Sequence, residues 1–344
     1  MTKNHVAPQE HLAAIVRRFS GRRVVVIGDL IADQFLYGEI SRVSREAPVM
    51  ILRHERTETV PGGAANCAMN LAALGAHTVL IGTAGEDEAG RRMLDKLGEA
   101  GIDLSGVIIS PEFRTTTKVR ILAGQTHSTR QQVIRVDYES VSLMDVPQRA
   151  RLRAQLCGAA KVADALIVSD YNYAVVDAEM IEALRVATRD RPVPVLVDSR
   201  FRLAHFTGFT SATPNEDEVE HLLGHRLSNA DELEAAAAEL RARLGYTALL
   251  VTRGSQGMLL VEAGAEPVHI KAVGSDAPVD VTGAGDTVIA TYALALASDA
   301  GIADAAHLAN YAGGVVVMKR GTASVNAQEL IAAVAAPRST KIEK

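Results

Sequence analysis

The sequence predicts an α/β protein, with a doubly wound, mostly parallel sheet flanked by helices and a small β lid beside it. Two observations predict this class. Short apolar runs rich in β-branched residues alternate with segments of helical periodicity. Two other segments, about 34–60 and 114–137, have strand patterns with no helical pattern inside them. We therefore expect a single domain over residues 1–344, with these two segments forming the lid.

The apolar runs are bounded by Gly, Asp, Ser or Thr, and they suit strands buried on both faces of a parallel sheet. They are Val24–Ile27, Val79–Ile81, Leu166–Val168, Val195–Val197 and Leu249–Val251. The segments between the strands predict helices. These helices are Ala64–Leu74, Glu86–Ala100, Pro147–Lys161, Ala178–Arg189, Glu216–Leu223, Asp231–Leu244 and Gly283–Ala297.

The lid segments are locally basic, although the net charge of the chain is −5. Their basic residues are Arg42, Arg45, Arg53 and Arg56, then Lys118, Arg120, Arg130 and Arg135. Lys118 and Arg120 alternate with Val119 and Ile121, which is the period of a half-exposed strand. Charge on solvated strand edges explains any one arginine. The whole cluster favours a substrate that carries its own phosphate, which arginine binds bidentately.

Composition excludes several functional classes. Aromatic residues make up 4% of the chain and Trp is absent, which argues against a base-stacking nucleic-acid surface. The acidic balance gives no general attraction to nucleic acid or membrane. Cys67 and Cys157 are too few for a disulfide framework or a zinc site and indicate a reduced, cytoplasmic protein. No signal-peptide or membrane-spanning pattern is present, and the polar tail 337–344 is expected to fray.

The run Asp280-Val281-Thr282-Gly283-Ala284-Gly285-Asp286 is the most informative stretch of the chain. Small residues sit between two carboxylates, and apolar residues at helical spacing follow, so the run predicts a loop that enters a helix. The unpaired amides at a helix start bind anions. An aspartate beside such amides is well placed to take a proton from a hydroxyl next to a phosphate. The run therefore indicates phosphoryl transfer from a nucleotide to an alcohol.

A second motif, Pro61-Gly62-Gly63-Ala64-Ala65-Asn66-Cys67-Ala68, predicts a tight turn into a helix and is followed by Gly75 and Gly85. In this order, the two motifs resemble the signatures of the ribokinase-like (PfkB) carbohydrate kinases, over about residues 22–335. The stretches Gly28-Asp29 to Val49, Thr117-Lys118-x-Arg120 and Ser169-Asp170-Tyr171 are similar to the subgroup that phosphorylates D-glycero-manno-heptose 7-phosphate for ADP-heptose and lipopolysaccharide synthesis.

The resemblance implies a role for each matching residue. Asp286 would be the general base, beside an anion hole made of the amides of Gly283, Ala284 and Gly285. The substrate-binding residues would be Asp29, Asp33, Gly62, Gly63, Asn66, Arg42, Lys118, Arg120 and Asp170. The nucleotide-binding residues would be Asn215, Thr252, Arg253, Gly254, Asn310 and Gly313, with Glu218 holding Mg²⁺ through water. ATP and Mg²⁺ are the implied cofactors, and a homodimer joined through the lids is the implied assembly.

Simpler explanations exist for several of these residues. Asp286 could cap its helix or counter the helix dipole. Asp29 and Asp33 could form turns at strand ends. Asn215 and Glu218 form the pattern of a capping box, and Asn310 could be an ordinary polar residue of a helix.

The sequence departs from the heptose kinases at three positions, which affects the choice of sugar more than the reaction. Tyr173 and Arg200 stand where those kinases have lysine, and Arg45 stands where they have proline. A kinase for ribose, fructose or a ketodeoxy sugar acid is the alternative, and a catalytically silent sugar-binding regulator is an alternative of another class. The segment His221–His225 is one residue too long for the nucleotidyltransferase motif, so no adenylyltransferase activity is expected.

Overall fold

The computed structural model describes residues 9–124, 130–139, 144–274 and 278–336. The strands are β1 (Arg23–Gly28), β2 (Leu30–Val43), β3 (Met50–Gly63), β4 (His77–Gly85), β5 (Asp103–Ser110), β6 (Thr116–Gly124), β7 (Gln131–Tyr138), β8 (Ala165–Asp170), β9 (Val195–Ser199), β10 (Ser211–Ala212), β11 (Ala248–Thr252), β12 (Met258–Glu262) and β13 (Val268–Ile270). The helices are α1 (Gln9–Arg17), α2 (Ala64–Ala73), α3 (Glu88–Glu99), α4 (Val146–Ala160), α5 (Ala178–Thr188), α6 (Glu216–Leu223), α7 (Ala230–Leu244), α8 (Ala284–Ala297), α9 (Ile302–Val316) and α10 (Ala327–Ala335).

The main sheet has the strand order β13-β12-β11-β10-β9-β8-β1-β4-β5. Strand β1 lies between β4 and β8 and pairs with both in parallel. Only the β11–β12 and β12–β13 pairs are antiparallel. All five predicted strands are present, with slightly longer bounds. The prediction of a mostly parallel sheet is confirmed.

The lid, defined here as strands β2, β3, β6 and β7, forms a separate four-stranded sheet in the order β3-β2-β6-β7. Strand β2 pairs with β6 in parallel, and the two outer pairs are antiparallel. Lys118 and Arg120 do alternate with Val119 and Ile121, but Lys118, on the charged face, is only 8% exposed. The charged face of β6 is therefore turned toward the body of the protein, because it faces the site described below.

Two apolar clusters lie on opposite faces of the main sheet. One packs α1, α2, α8, α9 and α10 against one face, and the other packs α4 to α7 against the second face. Alternating residues of β1 contribute to each cluster: Val24 and Val26 to the first, Val25 and Ile27 to the second. This arrangement explains why the run Val24–Ile27 is apolar without alternation.

All seven predicted helices are present within two residues of their predicted bounds. The periodicity did not reveal α1, α9 and α10, although the family resemblance implied a helix at Asn310 and Gly313. The buried faces of α1 and α10 consist of few residues among small or charged ones, such as Leu330 and Val334 in α10. The tail at 337–344 lies outside the described residues. Among the described residues, no helix combines the length and the apolar character needed to span a bilayer.

Candidate active site

Most of the predicted site residues gather at the carboxyl edge of the main sheet. Gly28, Asp170, Ser199 and Thr252 end the parallel strands β1, β8, β9 and β11 at this edge. In open α/β sheets, ligands bind at this edge, since loops and helix N-termini converge there. Helix α8 begins here as well, and it carries the predicted base in its first turn.

Asp286 is buried at the start of α8, with 5% of its surface exposed. Asn66 donates from Nδ2 to Asp286 Oδ2 at 2.7 Å, and the Tyr171 hydroxyl donates to Oδ1 at 3.1 Å. Burial raises the pKa of Asp286 to about 7, although these two hydrogen bonds oppose the shift. A general base works best when its pKa lies near the operating pH, so this carboxylate is suited to accept a proton.

A chain of hydrogen bonds fixes the orientation of the Asn66 amide. Asn70 donates from Nδ2 to Asn66 Oδ1 at 3.2 Å, and Thr287 donates from its hydroxyl to Asn70 Oδ1 at 2.9 Å. The Asn66 amide group can then turn only its NH₂ toward Asp286. Asn66 was predicted to bind sugar hydroxyls. The structure gives its amide the base as a partner, and the sugar contact stays a prediction.

The loop before α8 presents backbone amides to the cleft. Gly283 is the N-cap and has a φ of 76°, in the left-handed region, and a Cβ there would lie 2.5 Å from Asn66 Nδ2. Ala284 N–H donates to the Val281 carbonyl at 3.2 Å. Among the described residues, the amides of Gly283, Gly285 and Asp286 have no partner. Two of the three predicted anion-hole amides are thus unpaired, and the amide of Asp286 is a further candidate.

Asp29 lies at the end of β1 and organises a loop. Its carboxylate accepts hydrogen bonds from the backbone N–H groups of Tyr171, Tyr173 and Val175 at 2.8, 3.1 and 3.2 Å. Burial raises its pKa, while these hydrogen bonds oppose the shift. The structure thus shows the turn-forming role, because Asp29 holds the loop that presents Tyr171. Its predicted contact with substrate stays a prediction.

Asp33 and Arg120 form an ion pair on the face of the lid that is turned toward the body. Burial raises the pKa of Asp33 even though Arg120 opposes the shift. Gly62 makes room for this carboxylate, since a Cβ there would lie 2.5 Å from Asp33 Oδ2. Lys118 lies beside the pair, with its Nζ 5.6 Å from the centre of the Tyr171 ring. Its pKa is lowered by burial.

Asp170 is held by protein groups on all sides. Arg202 forms an ion pair with it, and the Ser199 hydroxyl donates to Oδ2 at 2.6 Å. The amide of Asn172 donates to Oδ1 at 3.2 Å. With a side chain that is 0% exposed, Asp170 ties the ends of β8 and β9 together. The structure gives it a role in positioning these loops, and its predicted substrate contact stays a prediction.

The structure does not bring Arg42 to the site within one chain. Arg42 is exposed near the far end of the β2–β3 hairpin, where it pairs in register with Ile51. It follows Asp33 by nine residues along the same strand, which is roughly 30 Å at the rise of an extended chain. The long hairpin carries Arg42 away from the cleft.

The predicted nucleotide side of the cleft lies at the ends of β10 and β11. Asn215 caps α6: its side chain accepts from Glu218 N–H at 2.8 Å, and the Glu218 carboxylate accepts from Asn215 N–H at 3.0 Å. This capping box is the simpler explanation offered above for both residues. Thr252 N–H donates to the Pro214 carbonyl at 2.9 Å and so ties β11 to this turn.

Asp198, one residue before the end of β9, faces Glu218 across this side of the cleft. Its pKa is raised well above the usual range by burial and then by the charges of Glu218 and Asp286. Among the described residues, no hydrogen-bond donor reaches its carboxylate. The described residues contain no group of three or more His, Cys, Asp or Glu side chains placed to hold a metal ion. Two nearby carboxylates nevertheless fit Mg²⁺, which keeps several waters and takes one or two protein carboxylates together with phosphates.

The other nucleotide-side residues have structural partners. Arg253 directly follows β11 and forms an ion pair with Glu216 at 2.7 Å, and Gly254 begins the turn that comes next. Asn310 and Gly313 lie on α9, as the resemblance implied. Asn310 donates from Nδ2 to the Lys271 carbonyl at 2.8 Å, which fixes the segment that follows β13. Their contacts with a nucleotide stay predictions.

The sequence motifs did not assign roles to four residues of this site: Tyr171, Asn70, Thr287 and Asp198. Asp198 stands directly after a predicted strand and Tyr171 three residues after another, and strand ends are where a parallel sheet places its site. Asn70 lies one helical turn after Asn66, so the spacing could have indicated that pair. Thr287 follows Asp286 directly and carries no signal of its own.

Comparison with known proteins places the chain in a family. Residues 22–329 match the profile of the pfkB family carbohydrate kinases. The proteins named bifunctional protein HldE from Hahella chejuensis and Gluconobacter oxydans are 42% and 38% identical to this chain, over 92% and 90% of its length. The chain spans only 64% and 63% of those two relatives.

Solved structures show the same fold at low sequence identity. Arabidopsis thaliana ribokinase, complexed with ribose and ATP, is 20% identical, with a TM-score of 0.72 over 92% of this chain and 100% of that one. Escherichia coli phosphofructokinase-2, in complex with substrates and products, is 19% identical, with a TM-score of 0.73 over 91% and 98%. The fold is ribokinase-like, and the chain belongs to the pfkB family of carbohydrate kinases, enzymes that transfer a phosphoryl group from ATP to a sugar hydroxyl.

Proposed function

We propose that this protein phosphorylates the anomeric hydroxyl of D-glycero-manno-heptose 7-phosphate with ATP, giving the 1,7-bisphosphate for ADP-heptose and lipopolysaccharide core synthesis. The observation that carries the reaction is Asp286, buried in the cleft, with a pKa of about 7 and held by Asn66 and Tyr171. The similarity to the HldE proteins over this region supports the choice of sugar.

Asp286 would accept the proton of the sugar hydroxyl as that oxygen bonds to the γ-phosphorus of ATP, while the bond from this phosphorus to the bridging oxygen breaks and ADP leaves. The proton moves to a carboxylate oxygen, and the unpaired amides of Gly283 and Gly285 stabilise the charge on the transferred group. The lid would cover the site, excluding water as a competing acceptor. Bound ATP supplies the phosphoryl group, and Mg²⁺ neutralises its phosphates. Asp198 and Glu218 would hold that ion, Glu218 through water.

Two basic side chains without a carboxylate partner support a substrate that bears a phosphate. On the face of the lid turned toward the body, Arg120 is paired with Asp33, and Arg135 with Asp137. Within the described ranges, Lys118 and Arg200 have no carboxylate at ion-pair distance. The two side chains are close enough to interact, since the charge of Arg200 contributes to lowering the pKa of Lys118. Two unpaired cations in one cleft fit a phosphorylated sugar and a nucleotide phosphate.

An ATP-coupled assay over a panel of sugars tests the proposal. The panel contains heptose 7-phosphate, unphosphorylated heptose, ribose, fructose, fructose 6-phosphate and a ketodeoxy sugar acid. We expect turnover of heptose 7-phosphate alone at low concentration. Turnover of an unphosphorylated sugar with an inert heptose 7-phosphate would replace the substrate assignment by another sugar kinase.

Two variants assign the two cations. Lys118→Met is expected to raise the KM for heptose 7-phosphate, while Arg200→Gln is expected to raise the KM for ATP, because Arg200 also lies near Glu218. Arg226, which is exposed and lies beyond the C-terminal end of α6, provides a matched control. Arg226→Gln is expected to leave both KM values unchanged. Equal effects of Lys118→Met on phosphorylated and unphosphorylated sugars would remove the phosphate role of Lys118.

We also propose a homodimer joined through the lids. The face of β7 turned away from Asp33 carries exposed Ile134, Val136 and Tyr138, and Ile134 is 53% exposed. Covering such an apolar strip with a second copy would remove it from water. The mass in solution, measured for the parent and for Ile134→Glu, tests this assembly. The thiols Cys67 and Cys157, which form no disulfide, fit the proposed cytoplasmic location.

A further inference from the structure

The function proposed above assigns Tyr171 no task beyond the contact of its hydroxyl with the reacting carboxylate. The hydroxyl donates to Asp286 Oδ1 at 3.1 Å, while the Asn66 amide donates to Oδ2. We propose that Tyr171 is a positioning residue for the base, which orients the Asp286 carboxylate and stabilises its charged form. This inference rests on the proposed role of Asp286.

The backbone around Tyr171 is built to hold that hydroxyl in place. Asn172 and Ala174 have φ angles of 66° and 71°, in the left-handed region, which asparagine tolerates and alanine rarely adopts. The Asp29 carboxylate accepts the N–H groups on both sides of Asn172 and so stabilises this loop. A backbone conformation that is unfavourable by itself and held by a buried carboxylate indicates a constrained position, and such positions concentrate at functional sites.

The hydroxyl of Tyr171 stays protonated, so it can only act as a donor to the carboxylate. Burial, followed by the charges of Asp286 and Asp198, raises its pKa well above the usual range. The other groups that face Asp286 are Asp33 from β2, Lys118 from β6, Asp198 from β9 and Cys67 from α2. Of these, Lys118 stabilises the charged carboxylate and Asp33 opposes it. Removing the hydroxyl therefore leaves Asn66 as the one side-chain donor to Asp286 among the residues that the structure describes.

The test is a direct titration of Asp286 by carbon NMR of labelled aspartate, with the signal assigned by its loss in Asp286→Asn. We expect Tyr171→Phe to move the titration midpoint upward by about one pH unit, since a hydrogen bond to a charged group is lost. At a pH below both midpoints, kcat/KM should fall about tenfold. The difference in kcat/KM between Tyr171→Phe and the parent should narrow as the pH rises above both midpoints. An unchanged midpoint in the folded variant would overturn the inference.

Tyr173 offers a matched control in the same loop. Its hydroxyl donates to Glu139 Oε1 at 2.8 Å, at the end of lid strand β7, and not to Asp286. Tyr173→Phe should therefore leave the midpoint of Asp286 in place. An equal shift in both variants would assign the effect to a general disturbance of the loop and would also overturn the inference.

A second modification keeps the loop intact. Replacing Tyr171 by 3-fluorotyrosine makes the hydroxyl a stronger donor without removing it, so the midpoint of Asp286 should move downward. A shift in the opposite direction would contradict the inference. The titration needs no sugar turnover. If the parent enzyme phosphorylates none of the panel sugars, the proposed function fails, while the titration still decides the role of Tyr171.

Discussion

Asp170 and Asp286 are two buried aspartates on the same edge of the main sheet, and their surroundings differ in kind. Asp170 is paired with Arg202 and accepts hydrogen bonds from Ser199 and from a backbone amide. Asp286 has no cation at ion-pair distance within the described ranges, and its hydrogen-bond donors, Asn66 and Tyr171, are neutral.

The difference separates a structural carboxylate from a reactive one. A buried carboxylate that is fully paired holds the groups around it in place, and breaking the pair is costly. A buried charge held by neutral donors remains close to protonation, as the pKa of about 7 at Asp286 shows. Perturbed groups of this kind concentrate at functional sites because burial is what tunes them. The two aspartates can be distinguished by experiment, since their replacement should have opposite effects.

The largest expected effect is on turnover by Asp286→Asn. The amide is isosteric with the carboxylate but cannot accept the proton, so kcat should fall by about 10²–10⁴-fold. Initial rates in the ATP-coupled assay, at saturating sugar and ATP, measure the change. Asp170→Asn serves as the comparison in the same assay, and its kcat per folded molecule should fall far less. Equal rates for the parent and Asp286→Asn would remove Asp286 as the base.

The next effect is on the stability of Asp170→Asn. This replacement leaves Arg202 without its carboxylate, and Arg202 is only 24% exposed on its side chain. The free energy of unfolding should fall by about 3 kcal/mol, at the lower end for a broken buried pair because Arg202 retains some contact with water. Urea unfolding followed by circular dichroism measures it.

A double variant provides the control for Asp170→Asn. Adding Arg202→Gln removes the unpaired cation, so part of the lost stability should return. If the loss in the free energy of unfolding of the double variant equalled or exceeded the sum of the losses of the two single variants, the ion pair would not be the source of the effect.

The sequence predicted the order of strands and helices better than the partners of the two aspartates. The alternating apolar runs and helical patterns determine the order of elements, and the glycines before Asp286 predict a loop at a helix start. Periodicity also revealed the lid strands, which pair as expected. Both kinds of signal are local, since they depend on neighbours within one element.

The partners of the two aspartates were beyond prediction from the residues alone. Asp170 meets Arg202, and Asp286 meets Asn66 and Tyr171, through contacts between distant parts of the chain. A carboxylate in a motif looks the same whether an arginine or a neutral amide will face it. Arg42 illustrates the same limit, because its place in a basic segment gave no measure of how far the hairpin extends from the cleft.

Asp286→Asn should also change stability, in the opposite direction to Asp170→Asn. The pKa of Asp286 is about 7 in the folded protein, against 3.8 for an ordinary aspartate. The folded state therefore binds more protons than the unfolded state between these values, so the parent loses stability as pH rises through this window. At about pH 8 the variant should be more stable by about 2 kcal/mol, since it buries no charge.

The pH dependence separates this effect from packing. Near pH 4 the parent carboxylate is protonated when folded, so the advantage of Asp286→Asn should largely disappear. Urea unfolding at several pH values, with both proteins in the same buffers, gives the two curves. An advantage that is constant across the range would mean that the buried charge is not its cause.

The smallest expected effect concerns Tyr246, a buried polar residue whose hydroxyl has neither a charged nor a neutral hydrogen-bond partner among the described residues. Its hydroxyl is buried in the second apolar cluster and has no hydrogen-bond partner within the described part of the chain. Tyr246→Phe removes this group while keeping the ring, so the free energy of unfolding should stay the same or rise by about 1 kcal/mol or less. Thermal unfolding at neutral pH measures the change, and kcat should be unaffected because Tyr246 lies between α7 and β11, away from Asp286. A loss of stability comparable to that of Asp170→Asn would show that an unobserved partner holds the hydroxyl.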